Sequence, residues 1–193
     1  DEPCDDRDLQ DDIDYNFRDA PVMRILAEAR DQGRCDAIGI TGNTPAGTAR
    51  VLQQVEVDTY LLATSYNPLE REAKKQALPL AQEKGVATIL GGVLRVGRLT
   101  QRNEAWFASP PEWMTPELKI SLQKLYEIQA DTGLSLPALA LRYVMADPAV
   151  TVALLGCQTP EEVEQDVEAA SAGPLPADVH QAIEGLVKTE QDH

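Results

Sequence analysis

Four stretches of this 193-residue chain combine polar or charged side chains with backbone that a ligand can approach. In Gly156-Cys157-Gln158-Thr159-Pro160-Glu161-Glu162, Thr159, Pro160 and Glu162 form a capping box with Pro at the first helical position. Such a helix start offers backbone N–H groups and partial positive charge to a phosphate or a polar nucleotide edge, although the same pattern also serves purely as a cap. In Gly91-Gly92-Val93-Leu94-Arg95-Val96-Gly97-Arg98-Leu99, the glycines let backbone come close to a ligand, and Arg95 and Arg98 carry the charge to neutralise a pyrophosphate. Glycine-rich turns also arise for conformational reasons alone. The other two stretches are Gly39-Ile40-Thr41-Gly42-Asn43 and Ala63-Thr64-Ser65-Tyr66-Asn67-Pro68-Leu69.

Each stretch follows a short apolar run that reads as a strand: 37–40, 59–63, 86–90 and 150–155. Ligands of parallel α/β folds bind at the carboxyl ends of strands, so this is where chemistry is expected. Amphipathic helices fill the intervals. One begins at Pro21 and stops at Gly33; another opens at Thr44-Pro45 and turns Val51, Leu52 and Val55 inward. A helix is predicted over 69–84, kinked or restarted at Pro79 and ended by Gly85. Thr115 caps a helix bearing Leu118, Leu122, Leu125 and Ile128 that ends near Gly133, and Ser135 starts the next, which runs to Asp147-Pro148. Two last helices are expected over 160–171 and 176–189. Short apolar strands alternating with helices predict an α/β fold with a parallel sheet buried on both faces, in one domain. Residues 91–115 read as a long loop whose Trp106, Phe107 and Trp113 either line a substrate pocket or pin the loop to the fold.

Composition closes off other classes. A net charge of −15 argues against nucleic acid and against an anionic membrane as partner. No apolar run is long enough to span a bilayer, and the acidic opening is unlike a signal peptide, reading instead as a loop already under way. The three cysteines, Cys4, Cys35 and Cys157, follow neither a disulfide nor a zinc pattern and suit a reducing cytosol. The acidic residues from Asp5 to Asp14 lack the glycine and bidentate Glu of a calcium loop. With only His180 and His193, no histidine-based metal site or Ser-His-Asp triad is expected, and nothing in sequence near Cys157 would activate its thiol.

Taken together, the four ligand-facing stretches resemble the aldo-keto reductases over nearly the whole chain. "DAIGITGN" is similar to the family's fifth strand and its turn, and "VDTYLLATSYNPLER" to the sixth. "GVATILGGVLRVGRL" is similar to the seventh strand with its pyrophosphate loop. "LPALALRYVMADPAVTVALLGCQTPEEVEQD" is similar to the eighth strand and the adenosine-binding helix. The resemblance implies a (β/α)8 barrel of TIM type, of which this chain supplies roughly strands five to eight with their helices. It also implies an oxidoreductase that moves hydride between a nicotinamide dinucleotide and a small carbonyl or sugar hydroxyl in the cytoplasm. By the same resemblance, cofactor contact falls to Thr41, Asn43, Tyr66, Leu94, Arg95, Gly97, Thr159, Gln165 and Asp166, with Tyr66 stacking on the nicotinamide.

Departures from the family pattern shape these expectations. Ala63 stands where the family has a glutamine that contacts the nicotinamide amide. Thr159 and Glu162 stand where cations would grip a 2′-phosphate, so NAD is expected over NADP. The catalytic tyrosine, lysine and aspartate have no counterpart here, and the place of the catalytic histidine falls on Asp1 or just before it. The alternative is a non-catalytic nucleotide-binding or interaction module. A complete barrel takes about 250 residues; a partial one has open sheet edges, and would self-associate as a two-fold dimer or depend on a missing amino-terminal half.

Overall fold

The computed structural model describes residues 16–187. Asp1, Cys4, the acidic stretch Asp5 to Asp14, Tyr15, His193 and the end of the final predicted helix lie outside the described residues.

Helix α1 (Pro21–Asp31) opens on the proline and is followed by Gly33 at φ 68°, a left-handed turn that glycine adopts without a Cβ clash. Strand β1 (Gly39–Gly42) leads into α2 (Pro45–Gln54), whose Val51 and Leu52 are buried. Strand β2 (Thr59–Ala63) is followed by a single 3-10 turn at Glu72–Lys74 and by α3 (Ala77–Glu83), then by β3 (Ala87–Gly91). The segment after β3 holds the short α4 (Ala105–Ala108). Helices α5 (Pro116–Thr132) and α6 (Leu136–Met145) come next, then β4 (Val152–Ala153), α7 (Pro160–Ser171) and α8 (Ala177–Glu184). Thr115, Ser135 and Thr159 each accept the N–H three residues on, so all three caps read from sequence form as expected.

The helix expected over 69–84 is interrupted. The Asn67 side chain accepts the Leu69 N–H, and Asn67 and Glu70 pair through their backbones, which holds the first part as a turn. The helix proper starts at Ala77, so Pro79 falls in its first turn, where a missing N–H costs nothing. The 91–115 segment is likewise less irregular than expected, with turns over its first half and α4 in its second.

The sheet is parallel throughout, in the order β1-β2-β3-β4. Register places Gly42, Leu62, Leu90 and Ala153 side by side, and Thr41, Leu61, Ile89 and Val152 one step earlier on the opposite face. Tyr60, Leu62, Thr88 and Leu90 are wholly buried on the first face. They pack in one core with side chains of α2, α3 and α6, including Leu52, Leu78 and Leu139. The second face departs from the expectation of burial on both sides: Thr41, Leu61 and Ile89 are half-buried and Val152 is exposed. Burial alternates along β2 and β3, a one-sided pattern and not the two-sided one that their apolar composition suggested.

Candidate functional site at the carboxyl ends of the strands

Register brings the carboxyl ends of β1, β2, β3 and β4 to one edge of the sheet, so all four ligand-facing stretches emerge there. The turns after β2 and β3 interlock. Thr64, in the left-handed region at φ 64°, donates its N–H to the Gly91 carbonyl at 3.1 Å. A Cβ on Gly92, itself at φ 71°, would lie 2.7 Å from the Thr64 nitrogen. Only glycine fits that contact.

The loop after β3 then holds Arg95 and Val96 at φ 50° and 55° before Gly97 at 80°. Two successive non-glycine residues in the left-handed region are strained backbone of the kind that clusters at ligand sites. Arg95 is only 9% exposed. Its Nη2 donates to Glu70 at 2.8 Å, while Nε and Nη1 are buried without a hydrogen-bond acceptor. Burial lowers the pKa of this guanidinium; Glu70 opposes the shift and Arg98 adds to it. The Arg98 guanidinium lies 4.1 Å from the centre of the Trp113 ring, and Arg95 lies 5.8 Å from it. Trp106 meets Trp113 edge-on at 5.1 Å, and Phe107 meets Tyr126 at 5.5 Å. These aromatic side chains hold the loop against α5 and the arginines.

At the fourth turn, the Thr159 hydroxyl accepts the Glu162 N–H at 3.2 Å, and the Glu162 carboxylate accepts the Gln158 N–H at 2.6 Å. Two donors of this helix start are thus already bound internally, and the exposed carboxylates of Glu161 and Glu162 flank it. Cys157 donates to Asp166 at 3.2 Å, and that contact, with burial and the acidic neighbours, raises the thiol pKa. The thiol is an unactivated one.

Of the residues expected to touch cofactor, Thr41, Leu94 and Asp166 are half-buried, and Asn43, Gly97, Thr159 and Gln165 are exposed. Arg95 is buried in its loop, as described. Tyr66 is where the arrangement and the expectation part. It has no exposed surface, donates to Asp147 at 3.0 Å and meets the edge of Tyr143 at 5.8 Å. Its ring is a core component and presents no open face for stacking. Sequence position alone could not tell whether the residue three beyond the strand end turns toward solvent or under the helices.

Tyr66 belongs to a polar cluster that sequence reasoning did not single out. Arg71 is buried and donates to the Tyr143 hydroxyl at 2.6 Å, to the Glu184 carbonyl at 2.6 Å and to the Ile183 carbonyl. Tyr143 donates to the Glu184 carboxylate at 2.8 Å, and Lys74 bridges Asp147 and Glu184 at 3.4 Å each. Burial raises the phenol pKa of Tyr66, Tyr126 and Tyr143 alike. Every tyrosine among the described residues is at most 2% exposed. Also among the described residues, no group of three or more His, Cys, Asp or Glu could hold a metal, and no helix is long and apolar enough to cross a membrane.

A sequentially ordered parallel sheet, helices over one face and ligand-type turns gathered at the carboxyl ends define an α/β protein of TIM-barrel type. The chain belongs to the aldo/keto reductase family, whose model matches residues 9–188. Among curated relatives, it is 28% identical over 149 residues to a pyridoxal 4-dehydrogenase of Microbacterium luteolum, a match covering 75% of this chain and 42% of that protein. It is 28% identical over 167 residues to an L-galactose dehydrogenase of Arabidopsis thaliana, covering 83% of this chain and 50% of that one. Among solved structures, the holo form of an aldo-keto reductase from Bacillus halodurans superposes with a TM-score of 0.69 at 26% identity, over 89% of this chain and 59% of the other. The chain spans about half the length of the curated relatives it matches.

Proposed function

We propose that this chain is the dinucleotide-binding part of an NAD-linked oxidoreductase, contributing roughly strands five to eight of a (β/α)8 barrel. The whole protein would reduce a small carbonyl or oxidise a sugar or alcohol. The observation that carries the reading is the Arg95 guanidinium, held at the carboxyl edge of the sheet with two buried nitrogens lacking acceptors. Leaving buried donors unmatched costs roughly 1–3 kcal/mol, and a pyrophosphate oxygen is an acceptor that offsets it. Because Nε and Nη1 are inaccessible in this arrangement, the strained 92–99 loop must lift for an anion to reach them. The polar groups suit a dinucleotide: Arg95 and Gly97 toward the phosphates, Thr159, Gln165 and the accepting carboxylate of Asp166 toward the adenosine, and Thr41 and Asn43 toward the nicotinamide amide. When bound, the nicotinamide supplies the hydride acceptor or donor.

Glu162 beside Thr159 disfavours a 2′-phosphate, which supports NAD over NADP. The buried tyrosines favour a second reading for the chain on its own, a nucleotide-binding module without turnover, since none among the described residues offers an accessible phenol. Titrating NAD and NADP against the chain, followed by quenching of Trp106 and Trp113, tests both parts of the proposal. Saturable quenching by NAD at lower concentration than by NADP is expected; quenching by neither removes the cofactor reading.

A further inference from the structure

Ile38 and Asp58 immediately precede β1 and β2, so they mark the amino-terminal edge of the sheet, opposite the turns that gather Arg95 and Thr159. A cavity of about 490 Å³ opens there between α1, the end of α2 and the end of α3. Four cations line it: Arg18, Arg24, Arg30 and Lys84. The chain as a whole has 32 acidic residues against 17 Lys and Arg, so the sign of charge is reversed at this spot. Among the described residues, Glu56 is the one carboxylate on the lining. Part of the positive charge has a structural task. The last carbonyls of α2 lack helical partners; Lys84 donates to those of Leu52 and Val55, and Arg18 Nε to that of Gln54 at 3.4 Å. Arg30 pairs with Asp58 at 3.1 Å. Capping accounts for these contacts and leaves charge over. Arg18 uses only one of its nitrogens, and nothing among the described residues meets the Arg24 guanidinium. Met23 and Ala27, four apart on the helix that carries Arg24, join Ile38 in giving the cavity an apolar side.

We propose that this cavity binds a small phosphate monoester with an apolar body, at a site separate from the dinucleotide turns and independent of the cofactor reading. A phosphate monoester carries close to two negative charges at neutral pH and three oxygens that accept from guanidinium groups. A carboxylate offers two coplanar oxygens, which one arginine satisfies bidentately. Three arginines converging on one cavity match the phosphate better. The volume lies in the range of small-ligand pockets and exceeds what a bare ion fills. Met23, Ala27 and Ile38 then receive the apolar part of the ester, and its removal from water adds to the affinity.

Titration calorimetry of the 193-residue chain at fixed ionic strength, with phenyl phosphate as probe, tests the site. Saturable binding of one equivalent is expected. Inorganic phosphate, which lacks the ring, and benzoate, which lacks the phosphate, should each bind about tenfold more weakly. Arg24→Gln should weaken phenyl phosphate by about tenfold, the loss of one charge-assisted contact. That side chain has no partner to lose in the free chain, so its circular dichroism and urea midpoint should stay as they are. Arg34→Gln makes the same change of charge outside the cavity and should leave the affinity unaltered, as should Arg95→Met at the other edge of the sheet. Equal weakening by Arg34→Gln would reduce the effect to net charge and overturn the site. Loss of binding in Arg95→Met would move the phosphate to the opposite edge, and benzoate binding as tightly as phenyl phosphate would overturn the ligand class. Absence of saturable heat overturns the proposal outright. NAD titration is read apart from all of these, so its failure leaves this site standing.

Discussion

Arg95 reaches across 2.8 Å to Glu70 and thereby ties the loop after β3 to the turn after β2, two segments 25 residues apart. The contact satisfies one nitrogen of the guanidinium and leaves Nε and Nη1 in reserve. Arg95→Met removes the cation but keeps much of the stem that packs there. NAD affinity should fall at least tenfold, equivalent to about 1.4 kcal/mol. Fluorescence titration measures it, since Trp113 lies beside both arginines. Unchanged affinity would remove Arg95 from the cofactor site.

Cofactor preference turns on the start of α7. Glu162→Arg should move the NADP-to-NAD affinity ratio toward NADP by roughly tenfold, as expected when a repulsive carboxylate becomes an attractive cation. The substitution also removes the acceptor for the Gln158 N–H, so Glu162→Gln serves as the control that retains it. A preference for NADP in the unaltered chain would reverse the assignment.

Carbonyl reduction needs a proton donor whose pKa approaches the working pH. Burial pushes Tyr66, Tyr126 and Tyr143 upward, away from that range, and each is enclosed. The 193-residue chain alone should therefore turn over no aldehyde or ketone while still binding NAD. Reproducible NADH oxidation with a panel of carbonyls, by chain purified free of host reductases, would show that an acid has been overlooked.

Stability should depend on acid through Glu184. Burial alone would raise its carboxyl, but the Tyr143 hydroxyl and the charges of Arg71 and Lys74 outweigh it and hold the group below its usual 4.5. A depressed carboxyl binds its proton more weakly in the folded chain than in the unfolded one. Its contribution is complete above about pH 4.5 and fades as the pH falls through the lowered folded value. Urea midpoints followed from pH 6 to pH 3 should decline less steeply in Glu184→Gln than in the parent. Parallel declines would mean that other carboxylates dominate.

The sequence was most readable where a single local signal sufficed. Pro21, Thr115-Pro116, Ser135 and Thr159-Pro160 mark helix starts because their backbone preferences act over three or four residues. Apolar runs located the strands to within two or three residues, and their register brings the four stretches that follow them together. Tyr66 and the 69–84 segment were less legible for a common reason: long-range partners decide them. Asp147 lies 81 residues from Tyr66, and Arg71 finds its acceptors 112 and 113 residues away. No periodicity announces such pairings. Glu70 is similar; nothing near it in sequence shows that it faces Arg95.

Arg71 has a further effect on how the chain opens. The carbonyls of Ile183 and Glu184 belong to the last turn of α8, where helices lack internal partners and ordinarily fray. Here a buried guanidinium donates to both, joining the Leu186 N–H at the Ile183 carbonyl, so detaching α8 takes two acceptors from a cation held far from water. Amide hydrogen exchange through α8 should accordingly run at the slow rate of the central strands, as part of one cooperative unit. In Arg71→Ala the same amides should exchange early, while those of β2 and β3 keep more of their protection. The carboxyl-terminal helix is in this sense a latch closed from inside, by a residue that precedes it by more than a hundred positions.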